Sequence, residues 1–253
     1  MPSAFLGPPI AHRGLHDRRG GRIENSRAAV AAAVAAGYGV EIDVQASADG
    51  EAMVFHDSGL SRLTDESGPL CERRADDLGR IGLKGADETI PTLSEILAVV
   101  GGRVALLIEV KDQGGRLDDT GVGPLEARVA ALLTGYHGPV ALMSFNPASV
   151  AACATTAAGV PRGLVACSAS GFEGVGLTRA RRAALAALAD YAAVGASFVS
   201  YSHRALPTPE TARLRAGGAP VLCWTVRSAA QEAAARRHAD NVTFEGYPAA
   251  IRG

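Results

Sequence analysis

Eight short runs of β-branched and other apolar residues alternate with Ala-, Leu- and Arg-rich stretches of helical period. That alternation constrains the fold more than any other feature of the chain. The predicted strands are 9–12, 40–44, 104–111, 140–145, 163–167, 198–201, 221–226 and 241–245. Helices are predicted at 26–36, 93–100, 124–133, 147–157, 178–191, 209–216 and 228–237. Thr92-Leu93-Ser94-Glu95 has the pattern of a capping box, and Asn25 or Ser26 can cap the helix that Gly37 ends. A strand followed by a helix returns the chain to the same edge of a sheet, so the strands should run parallel.

At 253 residues the economical solution is α/β, a closed (β/α)8 TIM barrel, for which about 250 residues is typical. A doubly wound open sheet is the rival. It usually carries a Gly-rich phosphate loop after the first strand, and His12-Arg13-Gly14 is not one. No internal repeat or low-complexity linker divides the chain, which reads as one domain over 1–253. Residues 57–90, rich in charge and turn formers, read as a short insertion after a β-hairpin that follows the second strand.

Glu41-Ile42-Asp43 is the most informative tripeptide. Residues two apart in a strand share a face, so Glu41 and Asp43 point together, away from Val40, Ile42 and Val44. Two carboxylates on the inward face of a buried strand are costly unless a cation neutralises them. The run 104–111 repeats the pattern, with Glu109 and Lys111 on one face. Three carboxylates from two strands, with no Cys or His pair among them, describe an oxygen-ligand site for Mg²⁺ or Ca²⁺. Structural salt bridges inside the barrel are the bland alternative, though buried ion pairs add little net stability.

Asp49-Gly50 favours a two-residue hairpin turn. That register sets Asp43 directly opposite His56 and returns the imidazole to the level of the carboxylates. His12 and Arg13 end the first strand, where a barrel places its active site. A cation, two histidines, Arg13 and Lys111 together suit cleavage of a phosphodiester. Positive charge neutralises the anion, and imidazoles titrating near neutrality can take and give a proton. No Walker loop, GxSxG elbow or HExxH is present, which weakens P-loop, acyl-hydrolase and zinc-protease readings.

Charge and cysteine usage narrow the setting. Lys plus Arg number 25 against 26 Asp plus Glu, so no global field recruits nucleic acid or acidic lipid. The first residues lack a basic region and a sustained apolar run, which does not read as a secretory signal. No apolar run approaches the roughly 18–20 residues needed to span a bilayer. Cys71, Cys153, Cys167 and Cys223 are widely spaced and read as free thiols in a reducing compartment. The expectation is a cytoplasmic protein with no membrane segment, acting on a small molecule; its oligomeric state is open.

In order along the chain stand Ala11-His12-Arg13-Gly14, Glu24-Asn25, Glu41-Ile42-Asp43-Val44, Val54-Phe55-His56-Asp57, Ile90-Pro91-Thr92-Leu93, Ile108-Glu109-Val110-Lys111, Ser144-Phe145 and Trp224-Thr225-Val226. This ordered set resembles the glycerophosphodiester phosphodiesterase family. The resemblance implies a (β/α)8 barrel with one divalent cation that hydrolyses glycerophosphodiesters to glycerol 3-phosphate and an alcohol. It implies His12 and His56 as the general acid/base pair and Glu41, Asp43 and Glu109 as metal ligands. Arg13 and Lys111 match positions that face the phosphate, Trp224 one that lines the glycerol pocket, and Glu24 and Asn25 a motif that supports the site. Ser26 stands where the family usually has Thr, Arg227 where Asn is common, and Glu245-Gly246 where an Asp usually precedes Tyr-Pro. The expected activity is metal-dependent hydrolysis of small diesters such as glycerophosphocholine or glycerophosphoethanolamine. A phospholipase D-type activity on lysophospholipids, or a non-catalytic barrel binding phosphorylated ligands, are the alternatives.

Overall fold

The computed structural model describes residues 1–251. Its strands are β1 (Ile10–Ala11), β2 (Gly39–Ala46), β3 (Ala52–Val54), β4 (Leu106–Val110), β5 (Val140–Ser144), β6 (Arg162–Ala166), β7 (Phe198–Ser202), β8 (Val221–Val226) and β9 (Asn241–Phe244). All but β3 run parallel in the cyclic order β1-β2-β4-β5-β6-β7-β8-β9, and β9 pairs back onto β1. The sheet is therefore a closed eight-stranded parallel barrel, as the alternation predicts. The helices are α1 (Arg27–Ala35), α2 (Ala75–Leu78), α3 (Leu93–Val100), α4 (Pro124–Leu133), α5 (Pro147–Thr156), α6 (Arg179–Ala186), α7 (Pro209–Ala216) and α8 (Ala229–Ala235).

Local chemistry explains most boundaries. Ser26 accepts from the Ala29 amide and starts α1, while Thr92 and Glu95 form the predicted capping box on α3. The stretch predicted as helix over 178–191 stops being helical at Ala186. Leu188 sits at φ 53°, in the left-handed region, and no glycine there announces the break. Outward-facing Val40, Ile42 and Val44 pack into the layer between sheet and helices. Inside the barrel, Leu107, Ala141, Met143, Val165 and Leu222 pack with Phe5 and Ile10, so the N-terminal segment closes the lower end. Among the described residues no helix is long and apolar enough to cross a membrane.

The hairpin corrects the predicted register. Ser47 N–H donates to Glu51 O at 2.9 Å, and Val44 pairs with Val54, so three residues rather than two form the loop. Gly50, at φ 81°, takes the left-handed position that ends such a loop, instead of a place in a two-residue turn. Asp43 therefore stands opposite Phe55, whose N–H donates to the Asp43 carbonyl at 3.1 Å. In a continuing strand this slip would turn His56 away. Regular pairing stops at Val54, however, and the chain bends at His56. Because β1 is only two residues long, β3 runs along the part of the β2 edge that β1 leaves free. His56 is thereby delivered to the same barrel mouth as His12.

Residues 57–90 contain a short 3-10 turn, Leu70–Glu72, and the one-turn helix α2. Leu60, Leu63, Leu70, Leu78, Leu83 and Ile90 are buried there with Ile23, Met53 and Phe55. The charged sequence hid this small core because its leucines follow no single period.

Gly14, just past β1, permits a close approach. A Cβ there would lie 2.7 Å from the Ala29 carbonyl carbon of α1, and its φ is +77°. Gly14→Ala is expected to destabilise the fold by more than about 1 kcal/mol, since strain and a backbone clash act together. An unchanged midpoint in urea unfolding would contradict that packing.

Candidate active site

The strands end at their C-terminal edges around a cavity of about 300 Å³, lined on one side by His12, Arg13, Glu41, Asp43, His56, Glu109 and Lys111. Trp224, Phe145, Met143 and Val165 form a second, mostly apolar wall. The Trp224 indole donates to Ser200 O at 3.1 Å and meets Phe145 edge-on, 5.4 Å between ring centres. Every residue expected to bind metal, substrate or proton thus borders one space. Glu24 and Asn25 lie behind it.

Asp43 and Glu109 are paired positions on β2 and β4, and oxygens of Glu41, Asp43 and Glu109 lie within 4.8 Å of one another. All three side chains are buried. Lys111 Nζ stands between two of them, 2.8 Å from Asp43 Oδ1 and 2.6 Å from Glu109 Oε1. Asn25 donates to Asp43 Oδ2 at 2.9 Å and accepts from the Asp43 amide, fixing that carboxylate from behind. Arg13 Nε sits 3.4 Å from the same oxygen, buried and without a hydrogen bond.

Charge is shared unevenly in the cluster. Burial alone would raise the Asp43 pKa, but Lys111 and the nearby His56 and Arg13 overcome it and hold the group ionised. Glu41 is pushed well above the ordinary glutamate value by burial, then by the charges of Asp43 and Glu109. Burial raises Glu109 as well, against the pull of Lys111. Lys111 itself is lifted, because Glu109 and Asp43 outweigh the burial that would lower it. Three buried carboxylates converge here beside one ammonium and a guanidinium that Glu24 shares, and hard oxygen donors of this kind fit a divalent cation. The donor set therefore fits the group the sequence implies.

Both imidazoles are tied at Nδ1. His12 Nδ1 lies 2.6 Å from Glu245 Oε2, and Arg227 Nε donates to Glu245 Oε1 at 2.6 Å. His56 Nδ1 lies 2.7 Å from Asp57 Oδ1, and the Asp57 carboxylate is gripped by Arg62. Arg62 also donates to both oxygens of Glu24, at 2.8 and 2.9 Å, and Glu24 accepts from Arg13 at 2.6 Å. Burial would raise Glu24, yet hydrogen bonds from Arg62 and the Arg13 charge bring it down to about 2. In each case a carboxylate fixes one ring nitrogen and leaves Nε2 for other partners. Burial lowers the pKa of both histidines, partly offset at His12 by Glu245 and at His56 by the Asp43 charge.

Sequence reasoning gave no role in the site to Asp57, Arg62 or Glu245. Asp57 directly follows a singled-out histidine, and Glu245 follows the last strand at the barrel mouth, so both carried a positional signal. Arg62 carried none, since only folding of 57–90 brings it to Glu24. Arg13 and Asn25 have φ of 54° and 60°, and Asn25 N–H donates to Arg13 O at 2.9 Å. Two non-glycine residues in the left-handed region beside one cavity are a feature of functional sites.

A closed parallel barrel carrying three carboxylates and two carboxylate-tethered histidines at its C-terminal mouth defines a class of barrels with an enzyme-like site. Residues 12–243 match the glycerophosphoryl diester phosphodiesterase family, and the chain belongs to it. It is 32% identical over 121 residues to bovine (Bos taurus) glycerophosphodiester phosphodiesterase 1, a match covering 44% of this chain and 35% of that protein. It is 39% identical over 110 residues to the glycerophosphodiester phosphodiesterase of Caldanaerobacter subterraneus, covering 40% and 44% of the two. The matches thus span well under two thirds of those relatives. Among solved structures, an Oleispira antarctica phosphodiesterase in complex with the product sn-glycerol-3-phosphate has a TM-score of 0.76 at 24% identity, over 97% of this chain and 95% of that one. A glycerophosphodiester phosphodiesterase of Thermotoga maritima has a TM-score of 0.70 at 19% identity, over 94% of both chains. At these identities the likeness is one of fold.

Proposed function

We propose that the chain is a divalent-metal-dependent phosphodiesterase that hydrolyses small glycerophosphodiesters to glycerol 3-phosphate and an alcohol. The observation that carries this reading is the convergence of three buried carboxylates and two histidines, each tied at Nδ1, on one cavity of about 300 Å³. Glu41, Asp43 and Glu109 would hold Mg²⁺ or Ca²⁺, which when bound supplies charge neutralisation and polarisation of the phosphoryl group.

The chain's own residues supply the rest. Arg13 and Lys111 counter the charge of the diester from the cavity wall. Trp224, with Phe145 beside it, gives the carbon skeleton of the glycerol a flat apolar surface. Nε2 of one histidine takes the proton of the attacking oxygen, either a neighbouring hydroxyl of the substrate or a water. Nε2–H of the other histidine gives a proton to the departing alkoxide. Glu245 and Asp57 act through the imidazoles as positioning residues, holding each ring in the tautomer that presents Nε2 to the cavity.

Three measurements test this. Treatment with EDTA should abolish release of glycerol 3-phosphate from glycerophosphocholine, and added Mg²⁺ or Ca²⁺ should restore it; activity indifferent to chelation would overturn the metal requirement. Turnover of lysophosphatidylcholine should be slower. The leucines of 57–90 face inward, so that segment offers no apolar surface to an acyl chain. Glu245→Gln should lower kcat about tenfold or more with little change in KM, a fraction of the 10²–10⁴ that acid–base catalysis supplies. Glu245→Asp should recover part of the loss. A change confined to KM would mean that Glu245 meets substrate rather than orienting His12.

A further inference from the structure

Behind His12, away from the substrate cavity, lies a group of donors that the reaction leaves partly unused. The spacing His12-Arg13-Gly14-Leu15-His16 puts two imidazoles on the turn after β1, and Glu245 approaches them from the end of β9. One nitrogen from each ring and a Glu245 oxygen lie within 4.8 Å of one another. His16 Nε2 is 3.6 Å from Glu245 Oε2, beyond hydrogen-bond distance, and is buried without a partner. A buried imidazole nitrogen with nothing to bond is costly, and it faces an anionic oxygen. Arg227 engages the other oxygen, Oε1, which leaves Oε2 to the two rings. The side chains of His12, His16 and Glu245 are 13, 24 and 19% exposed, which places the group close to the surface.

We propose that His12, His16 and Glu245 form a second cation site, selective for Zn²⁺ or a similar borderline ion, whose occupation silences the enzyme by capturing His12. Silencing rests on the acid–base role proposed above, with His12 taken as the base; binding does not. Two imidazoles and one carboxylate are a Zn²⁺ donor set with a fourth position open to water, whereas the carboxylate cluster suits Mg²⁺ or Ca²⁺. Bonds of about 2.0–2.2 Å in a tetrahedron set donors roughly 3.4 Å apart. The 2.6 Å His12–Glu245 separation must therefore open slightly and the wider ones close, within reach of side-chain rotation. On binding, the proton shared between His12 Nδ1 and Glu245 leaves to solvent and the ion takes its place. The ring then keeps its proton on Nε2, bonded through Nδ1, and no longer accepts one from an attacking oxygen. His16 and Glu245 do not line the substrate cavity, so inhibition should lower kcat rather than raise KM.

The test uses the full chain with saturating Mg²⁺ to occupy the carboxylate cluster. Co²⁺ titration should produce the intense visible absorption of a four- or five-coordinate ion with nitrogen ligands, and Zn²⁺ should displace it. In His16→Asn the band should vanish and Zn²⁺ affinity, read by competition with a chromophoric chelator, should fall more than about 100-fold, since loss of outer partners alone costs about 10–100-fold. His16→Asn should keep wild-type turnover without Zn²⁺ and lose sensitivity to it; His16→Gln, with folding checked by circular dichroism, serves if the first variant is unstable. Equal Zn²⁺ affinity and inhibition in wild type and variant would overturn the proposal, placing the ion on the carboxylates. A band that depends on His16 in a protein that cleaves no glycerophosphodiester would sustain the site and refute the proposed activity.

Discussion

His12→Ala and His56→Ala are each expected to cut glycerophosphodiester turnover by about 10²–10⁴-fold, the span of acid–base catalysis. The fold should survive either change. His12 follows β1 at the cavity mouth and His56 follows β3 at a bend, so neither is a keystone of the apolar layers. The two losses should not multiply in the double variant, because one proton relay is broken by removing either end. The carboxylate partners sharpen the expectation. Glu245 and Asp57 each keep an arginine after the ring is gone, Arg227 and Arg62 respectively, so neither is left as an unpaired charge. A thermal midpoint close to that of the parent, with activity lost, is the expected signature. Full turnover in a folded double variant would remove both histidines from the chemistry.

The carboxylate cluster yields the second large effect, in which activity and stability part company. Asp43→Asn and Glu41→Gln should each lower turnover by at least about a hundredfold, the rate equivalent of about 3 kcal/mol of lost charge stabilisation. Their effects on folding should be opposite. Asp43 is the ionised partner of buried Lys111 and a neighbour of Arg13. Removing its charge leaves Lys111 with Glu109 and Arg13 with Glu24 as their remaining partners, and should cost about 1–3 kcal/mol. Glu41 is the reverse case: its folded pKa is raised by burial, then by Asp43 and Glu109. Such a group favours folding only while protonated, and it loses that contribution as pH rises through the folded value. In chelated protein, Glu41→Gln should therefore melt above wild type, by a margin that grows with pH. Mg²⁺ or Ca²⁺ should raise the wild-type midpoint more than that of Glu41→Gln, since a ligand stabilises the state it binds. Equal destabilisation by both substitutions would contradict the uneven sharing of charge.

Much of the architecture was legible because strand and helix periods are local. The runs at 40–44, 104–111 and 221–226 carry their apolar faces in plain view, and β2, β4 and β8 formed within or around them. Pairing of β9 with β1 closed the ring that the length suggested. The spacing of Glu41, Asp43, Glu109 and Lys111 also survived folding, because alternation in a strand leaves their directions no freedom. The hairpin was harder. Asp49-Gly50 fits a two-residue and a three-residue loop alike, and the choice shifts every pairing by one. Leu188 shows the same limit, since nothing in its side chain marks the left-handed turn that ends α6.

From the sequence alone came the barrel, the inward face of the carboxylates and His12 at a strand end, all set by neighbours a few residues apart. His56, by contrast, reached the mouth through a bend that the predicted hairpin register did not contain. Tertiary structure alone decided which groups hold those histidines. Glu245 reaches His12 across 233 residues, and Arg62 joins Glu24 to Asp57 through a loop whose course its own buried leucines fix. Such partnerships depend on where separate chain ends meet in space, and side-chain reach over that distance leaves no periodic trace in the order of residues.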